Sequence, residues 1–188
     1  MAINPSQTRT FKNIQLFTIL ASLWIGGLIG IGFLVAPTLF IFLTDKQVAG
    51  MIAGEIFKNA NFLNCLMGIC LLIMSNVFVK QGYRHFVLIR WLLLVLLILT
   101  GLAALIIQPW MHELREMALA GGAPVMQSPW AKEFGRLHSV SNTIFIVEII
   151  LGLWICWRSC RFTVTSEPSG LMLDRGLKTP GVSSGRQD

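Results

Sequence analysis

Apolar residues in this chain fall into four long blocks, with neither the alternation of a half-buried strand nor the stripe of an amphipathic helix. The blocks cover residues 14–36, 62–79, 86–107 and 137–157. At 1.5 Å per helical residue, about 20 residues cross the ~30 Å hydrocarbon core of a bilayer. Runs of this length are too long for buried strands and too evenly apolar for surface helices. They predict an all-α membrane protein, a four-transmembrane-helix bundle.

The segments between the blocks refine that picture. Pro37 is expected to kink or end the first helix, because proline lacks an N–H and clashes with the carbonyl four residues back. Residues 45–60 are half apolar and carry Ala49, Gly50, Ala53 and Gly54, which predicts a short amphipathic helix at the outer membrane surface. A basic turn, Lys80-Gln81-Gly82-Tyr83-Arg84-His85, separates the second and third blocks. Pro109 stands just past the third, and residues 108–136 read as the longest loop. The expected domain is 1–161, and the Ser-, Gly- and Pro-containing stretch 162–188 reads as a disordered cytoplasmic tail. The first block exceeds the 7–15-residue apolar region typical of a signal peptide and lacks a small-residue cleavage site, so it reads as a retained helix.

Composition agrees with this class: 54% of residues are hydrophobic and only 13% charged, against about 25% in soluble domains. The net charge of +6 does not point to nucleic acid. The basic residues cluster at block ends and in the tail, leaving no folded basic face. Their placement instead sets orientation. Arg9, Lys12, Lys80, Arg84, Arg90, Arg158, Arg161, Arg175, Lys178 and Arg186 fall on the side of the termini, ten of the fifteen Lys and Arg residues. By the positive-inside rule both termini are expected in the cytoplasm. The expected partners are the lipid bilayer and a homo-oligomer or membrane-complex partner, with no nucleic acid.

Glu148 is the most informative single residue. It sits midway along the fourth block, where an acid costs about 2.5–3.5 kcal/mol on insertion scales and should face the bundle with a partner. Helical spacing places His138, Ser141, Asn142, Phe145, Glu148 and Gly152 on one stripe, a polar track running from the outer surface to mid-membrane. One reading makes Glu148 a proton or cation site at the floor of that track. The other makes it a packing hydrogen bond.

His112 and Glu116 are four residues apart and share a helical face, and His138 lies on the same membrane side. Together they form a candidate metal site, since imidazole suits copper, zinc or iron. His112 and His138 are also the pair that would hold a haem near the outer surface, although no cofactor is identified by the sequence. Cys156 and Cys160 read as unpaired interfacial thiols. Ser22, Gly26 and Gly30, with Gly50 and Gly54, have the four-residue spacing of helix-packing faces, which suits contacts inside the bundle or a homodimer seam. No phosphate loop, zinc-protease motif or nucleophile elbow is present, and no enzymatic activity is expected.

Three segments carry a family resemblance: Trp24-Ile25-Gly26-Gly27 leading to Ala36-Pro37-Thr38-Leu39-Phe40; Ala49-Gly50 with Ala53-Gly54-Glu55-Ile56-Phe57; and Phe134 to Asn142 around Leu137-His138-Ser139. Over residues 14–157 the chain resembles the bacterial branch of the transmembrane-protein-205-like family, four-helix membrane proteins of unknown activity. The resemblance implies a bacterial inner-membrane location and makes Gly26, Pro37, Gly50, Gly54, Phe57, His138 and Ser141 the shared positions. Members carry an Asn about one turn beyond the serine, whereas Phe145 stands there in this chain. Eukaryotic members are associated with resistance to platinum drugs. A more distant similarity is to copper-resistance D-type membrane proteins, which also begin with a Trp-x-Gly-Gly helix.

These readings rank three functions. The first is an inner-membrane protein handling a metal or other cation through the polar track of the fourth helix. The second is a structural or assembly subunit of a membrane complex, and the third a haem-binding redox protein.

Overall fold

A computed structural model describes residues 5–165, with side-chain surroundings from Lys12 to Arg161. Among the described residues the regular structure is helical throughout: α1 (Pro5–Gly30), α2 (Ala36–Phe42), α3 (Lys46–Lys80), α4 (His85–Leu102), α5 (Gln108–Ala120) and α6 (Ala131–Thr165), with a 3-10 turn at Val125–Gln127. Two π turns, Ile31–Val35 and Ala103–Ile107, join α1 to α2 and α4 to α5. The helices therefore form four rods, each long and apolar enough to cross a membrane: Lys12–Phe42, Lys46–Lys80, His85–Ala120 and Ala131–Arg161.

Pro37, expected to kink or end the first helix, and Pro109, just past the third block, are both absorbed into continuous rods. The residue before each one bonds back five positions rather than four, Ala36 N–H to the Ile31 carbonyl and Gln108 N–H to the Ala103 carbonyl. The wider turn accommodates the proline ring, and Pro37 and Pro109 then occupy the first turn of α2 and of α5, where no N–H is needed. The loop read over 108–136 is thus helical through Ala120, and α6 begins at Ala131, six residues before the apolar block. The short amphipathic helix expected over 45–60 is helical but not separate: it is the first part of the unbroken α3. α6 runs on to Thr165, and the rest of the expected tail, 166–188, lies outside the described residues.

The 35 residues of α3 make a rod of about 52 Å, longer than the ~30 Å hydrocarbon layer. The excess lies at the end of the bundle away from the termini, termed the distal end. There, neighbouring side chains close the turn between the first two rods. Asp45 accepts from the backbone N–H groups of Gln47 (2.8 Å) and Val48 (3.3 Å), capping α3. Lys46 donates to the carbonyls of Phe40 and Leu43, capping α2. Glycines hold the backbone reversals elsewhere: Gly82, at φ +93°, and Gly122, at φ +74°, adopt left-handed conformations that other residues avoid.

α3 packs along α4 and α1 along α6, while α4 with α6 and α1 with α3 close the ring. At the terminal end Phe17, Phe78 and Phe86 interlock, Phe17 meeting the other two edge-on at ring separations of 6.1 and 5.4 Å. Mid-bundle, Trp24 is buried and donates through Nε1 to Asn64 Oδ1 at 2.9 Å, tying α1 to α3. The sites of closest helix approach are Gly152 against Ile25, Gly32 against Phe145 and Gly68 against Leu97, where even a methyl group would collide. Leu23, Leu105, Ile98, Ile150 and many similar side chains point outward, as in a bundle surrounded by lipid.

Candidate functional site

Toward the distal end the rods separate around a cavity of about 1230 Å³. Its walls are supplied by α2 and the π turn before it, the first half of α3, α5 and the π turn before it, and the first half of α6. Both proline-linked π turns therefore border the space, through Gly32, Ala36 and Pro37 on one side and Ala103, Ala104, Gln108 and Pro109 on another.

The polar stripe of α6 faces this cavity. His138, Ser141, Asn142, Phe145 and Glu148 all line it, in that order from the distal end inward. The His138 ring lies parallel to that of Phe134 with centroids 6.4 Å apart. Phe145 sits edge-on to Phe57 of α3 at 5.6 Å. Glu148 is 3% exposed, and the Thr100 hydroxyl of α4 donates to its Oε1 at 2.7 Å. The same hydroxyl also lies 3.0 Å from the Leu96 carbonyl of its own helix. A single hydroxyl proton cannot serve both oxygens fully, and a carbonyl can only accept. With a proton on Glu148, the carboxyl donates to Thr100 Oγ1 and Thr100 donates to Leu96. Without it, the Thr100 proton turns to the carboxylate. Each state keeps a hydrogen bond between the two side chains.

His112 and Glu116 do come together on α5, with Nδ1 and Oε1 3.7 Å apart, both side chains more than half exposed. They line the same cavity as His138. However, among the described residues no three His, Cys, Asp or Glu side chains gather closely enough to hold a metal ion, so the proposed His112, Glu116 and His138 trio is not assembled. His85 lies at the opposite end of the bundle, at the start of α4. The four cysteines are free, with Cys156 and Cys160 near the terminal end of α6.

The glycine faces divide. Gly54 does pack tightly, since a Cβ there would come 3.3 Å from a guanidinium nitrogen of Arg115, and at Gly50 one would just touch Phe40. Gly26 and Gly30 make no such contact: a Cβ on either would meet nothing within 4 Å. Their role as packing glycines inside the bundle is therefore corrected. Intimate packing falls to Gly32, Gly68 and Gly152, which do not repeat at four-residue spacing along one helix.

Sequence reasoning missed four polar residues in or near the cavity. Thr100 is the one hydroxyl in the third block, a signal that was available. Asn61 lines the cavity, and Asn64, one turn below it on α3, is buried with its Nδ2 lacking a partner. Arg115, within the segment read as a loop, is half-buried and lines the cavity, its guanidinium 5.6 Å from the Phe134 ring centroid.

No curated protein and no solved structure matches the chain. Residues 19–119 match a domain of unknown function (DUF4149). The match takes in Thr100 and Arg115 and ends before α6, leaving the stripe from His138 to Glu148 beyond it. With more than half of its length matched, the chain belongs to the DUF4149 domain family.

Proposed function

We propose that this multi-pass membrane protein admits a solute into the distal cavity and exchanges a proton at Glu148, without enzymatic activity. One observation carries the reading: a carboxyl buried in mid-span lines a cavity open toward the distal end, with Thr100 placed to keep it hydrogen-bonded in either charge state. An acid at that depth is costly and typical of proton and ion routes. His138, Ser141 and Asn142 supply polar steps between the cavity opening and Glu148. The cation assigned to this track is the proton, the one that a lone buried carboxyl can exchange. The resemblance to the transmembrane-protein-205-like family supports the four-helix frame and says nothing of the ligand. The same resemblance implies a bacterial inner membrane, and the excess of Lys and Arg beside the termini favours cytoplasmic termini, so that the cavity opens on the outer face.

Infrared difference spectroscopy of the protein in lipid tests this directly. A protonated-carboxyl stretching band is expected to shrink as the bath is made alkaline, and to be missing from Glu148→Gln, whose amide still bonds Thr100. If wild type and variant give the same titrating bands, Glu148 does not exchange a proton and the reading fails.

The open face at Gly26, Gly27 and Gly30 favours a second reading, an assembly subunit. Such a face lets another helix approach closely in a membrane. Disulfide crosslinking at Gly26→Cys in intact membranes separates the two. A stoichiometric adduct supports assembly through this face, and monomers alone argue against it.

A further inference from the structure

We infer that the occupant of the distal cavity is an organic acid with an apolar body, its carboxylate or phosphate held by Arg115. This rests on the reading of the cavity as a ligand site, not on proton exchange at Glu148.

Arg115 projects from the middle of α5 into the cavity and is held there on two sides. Its guanidinium lies against Gly54 of α3, where the missing side chain leaves it room, and 5.6 Å from the Phe134 ring centroid of α6. Three helices thus fix one planar cation. Among the described residues no carboxylate stands within 4.0 Å of it. Glu55, which does act on Arg115 electrostatically, pairs with Lys58 at 3.6 Å, and Glu116 with His112 at 3.7 Å. Of the other acids near the cavity opening, Asp45 caps α3 and Glu113 is exposed. A half-buried guanidinium without an anion is a poor structural element and a good receptor. Its forked donors match the paired oxygens of a carboxylate or phosphate.

The rest of the wall indicates what the anion is attached to. Inward from Arg115 the apolar side chains of Phe57, Ile144 and Phe145 share the wall with the polar stripe of α6. Trp110, five residues before Arg115 on α5, is exposed, and tryptophan in that position fits the membrane–water interface. An acidic head at Arg115 would then lie at headgroup level with its apolar body directed into the membrane. Free single-chain acids and anionic phospholipids share this chemistry.

The test uses the full-length protein in phosphatidylcholine nanodiscs and measures equilibrium binding of radiolabelled laurate, with dodecanol and acetate as the neutral-head and tail-less controls. Saturable laurate binding is expected, with dodecanol at least tenfold weaker and acetate unable to compete at equal concentration. Arg115→Gln should weaken laurate at least tenfold while leaving dodecanol unchanged, and Gly54→Val should weaken it in the same direction by displacing the guanidinium. Ile150→Ala, on the outer face of α6, should bind laurate as wild type does, and the infrared titration of Glu148 is read separately, so that either reading can fail alone. Dioleoyl phosphatidic acid in the disc identifies the source: displacement of laurate marks a membrane lipid, and no displacement marks a free acid, the Arg115 dependence holding in both. Equal binding of laurate and dodecanol to wild type overturns the inference. So does unchanged laurate binding by a folded Arg115→Gln, or competition by acetate equal to that by laurate.

Discussion

Thr100 on α4 and Glu148 on α6, separated by 48 residues in sequence, meet at 2.7 Å inside the bundle. Hydrogen bonds between membrane helices average about 0.6 kcal/mol and reach about 1.7 kcal/mol in double-mutant cycles. A cycle built from Thr100→Val and Glu148→Leu, each of which removes the bond, read by reversible unfolding in mixed micelles, should therefore give a coupling of about 0.6–1.7 kcal/mol. A coupling of zero would show that the two side chains do not interact.

Glycine substitutions should sort by contact and not by sequence spacing. Gly152→Ala forces a methyl group into Ile25 and is expected to cost about 1–3 kcal/mol. Gly26→Ala meets no neighbour and should change stability by less than about 0.5 kcal/mol in the monomer. Shortening Ile25 to Ala should recover much of the Gly152→Ala loss. Unfolding midpoints of the three variants are the measurement, and equal losses at Gly26 and Gly152 would contradict the packing described.

Trp24 and Asn64 should behave as a unit. Trp24→Phe removes the donor to Asn64 Oδ1 and leaves a buried amide wholly without partners, a loss of about 1–3 kcal/mol. Asn64→Leu strands the indole N–H instead. Combining Trp24→Phe with Asn64→Leu removes both polar partners, so the double variant should be more stable than additivity predicts. Strict additivity would mean that the bond contributes nothing.

Water should reach the cavity wall and not the lipid face. In a variant lacking Cys65, Cys70, Cys156 and Cys160, Asn142→Cys is expected to react readily with a water-soluble maleimide, and Ile150→Cys, exposed on the outside of the bundle, only slowly. Labelling of Asn142→Cys in intact cells by an impermeant maleimide would place the cavity on the outer face, and labelling only after lysis would place it on the cytoplasmic side.

The spans and the inward stripe of α6 were legible because the bilayer enforces them. Hydrocarbon demands long apolar blocks, and a carboxyl such as Glu148 stands out against that background. What the pattern could not convey was geometry between helices. Pro109 signalled a helix end, yet a π turn carried the rod eleven residues beyond it, to Ala120. Arg115 resembled any surface arginine, because its distinction lies in Gly54 and Phe134, residues on other helices. The Gly26 and Gly30 spacing was visible, but whether a neighbour fills that face depends on how α1 is rotated, which spacing alone does not determine.

The two π turns also have a bearing on helical phase. A π turn holds one residue more than the α-helical path, so the helix beyond it is rotated by about 100° from the direction a straight helix would have given it. Ala36 and Phe40 of the first rod, and Met111 and Arg115 of the third, face the cavity only because of that offset. Deleting one residue from 31–35 or from 103–107 would bring the upper helix back into register with the lower. The set of side chains facing the cavity is thus specified by two surplus peptide units as much as by the residues themselves.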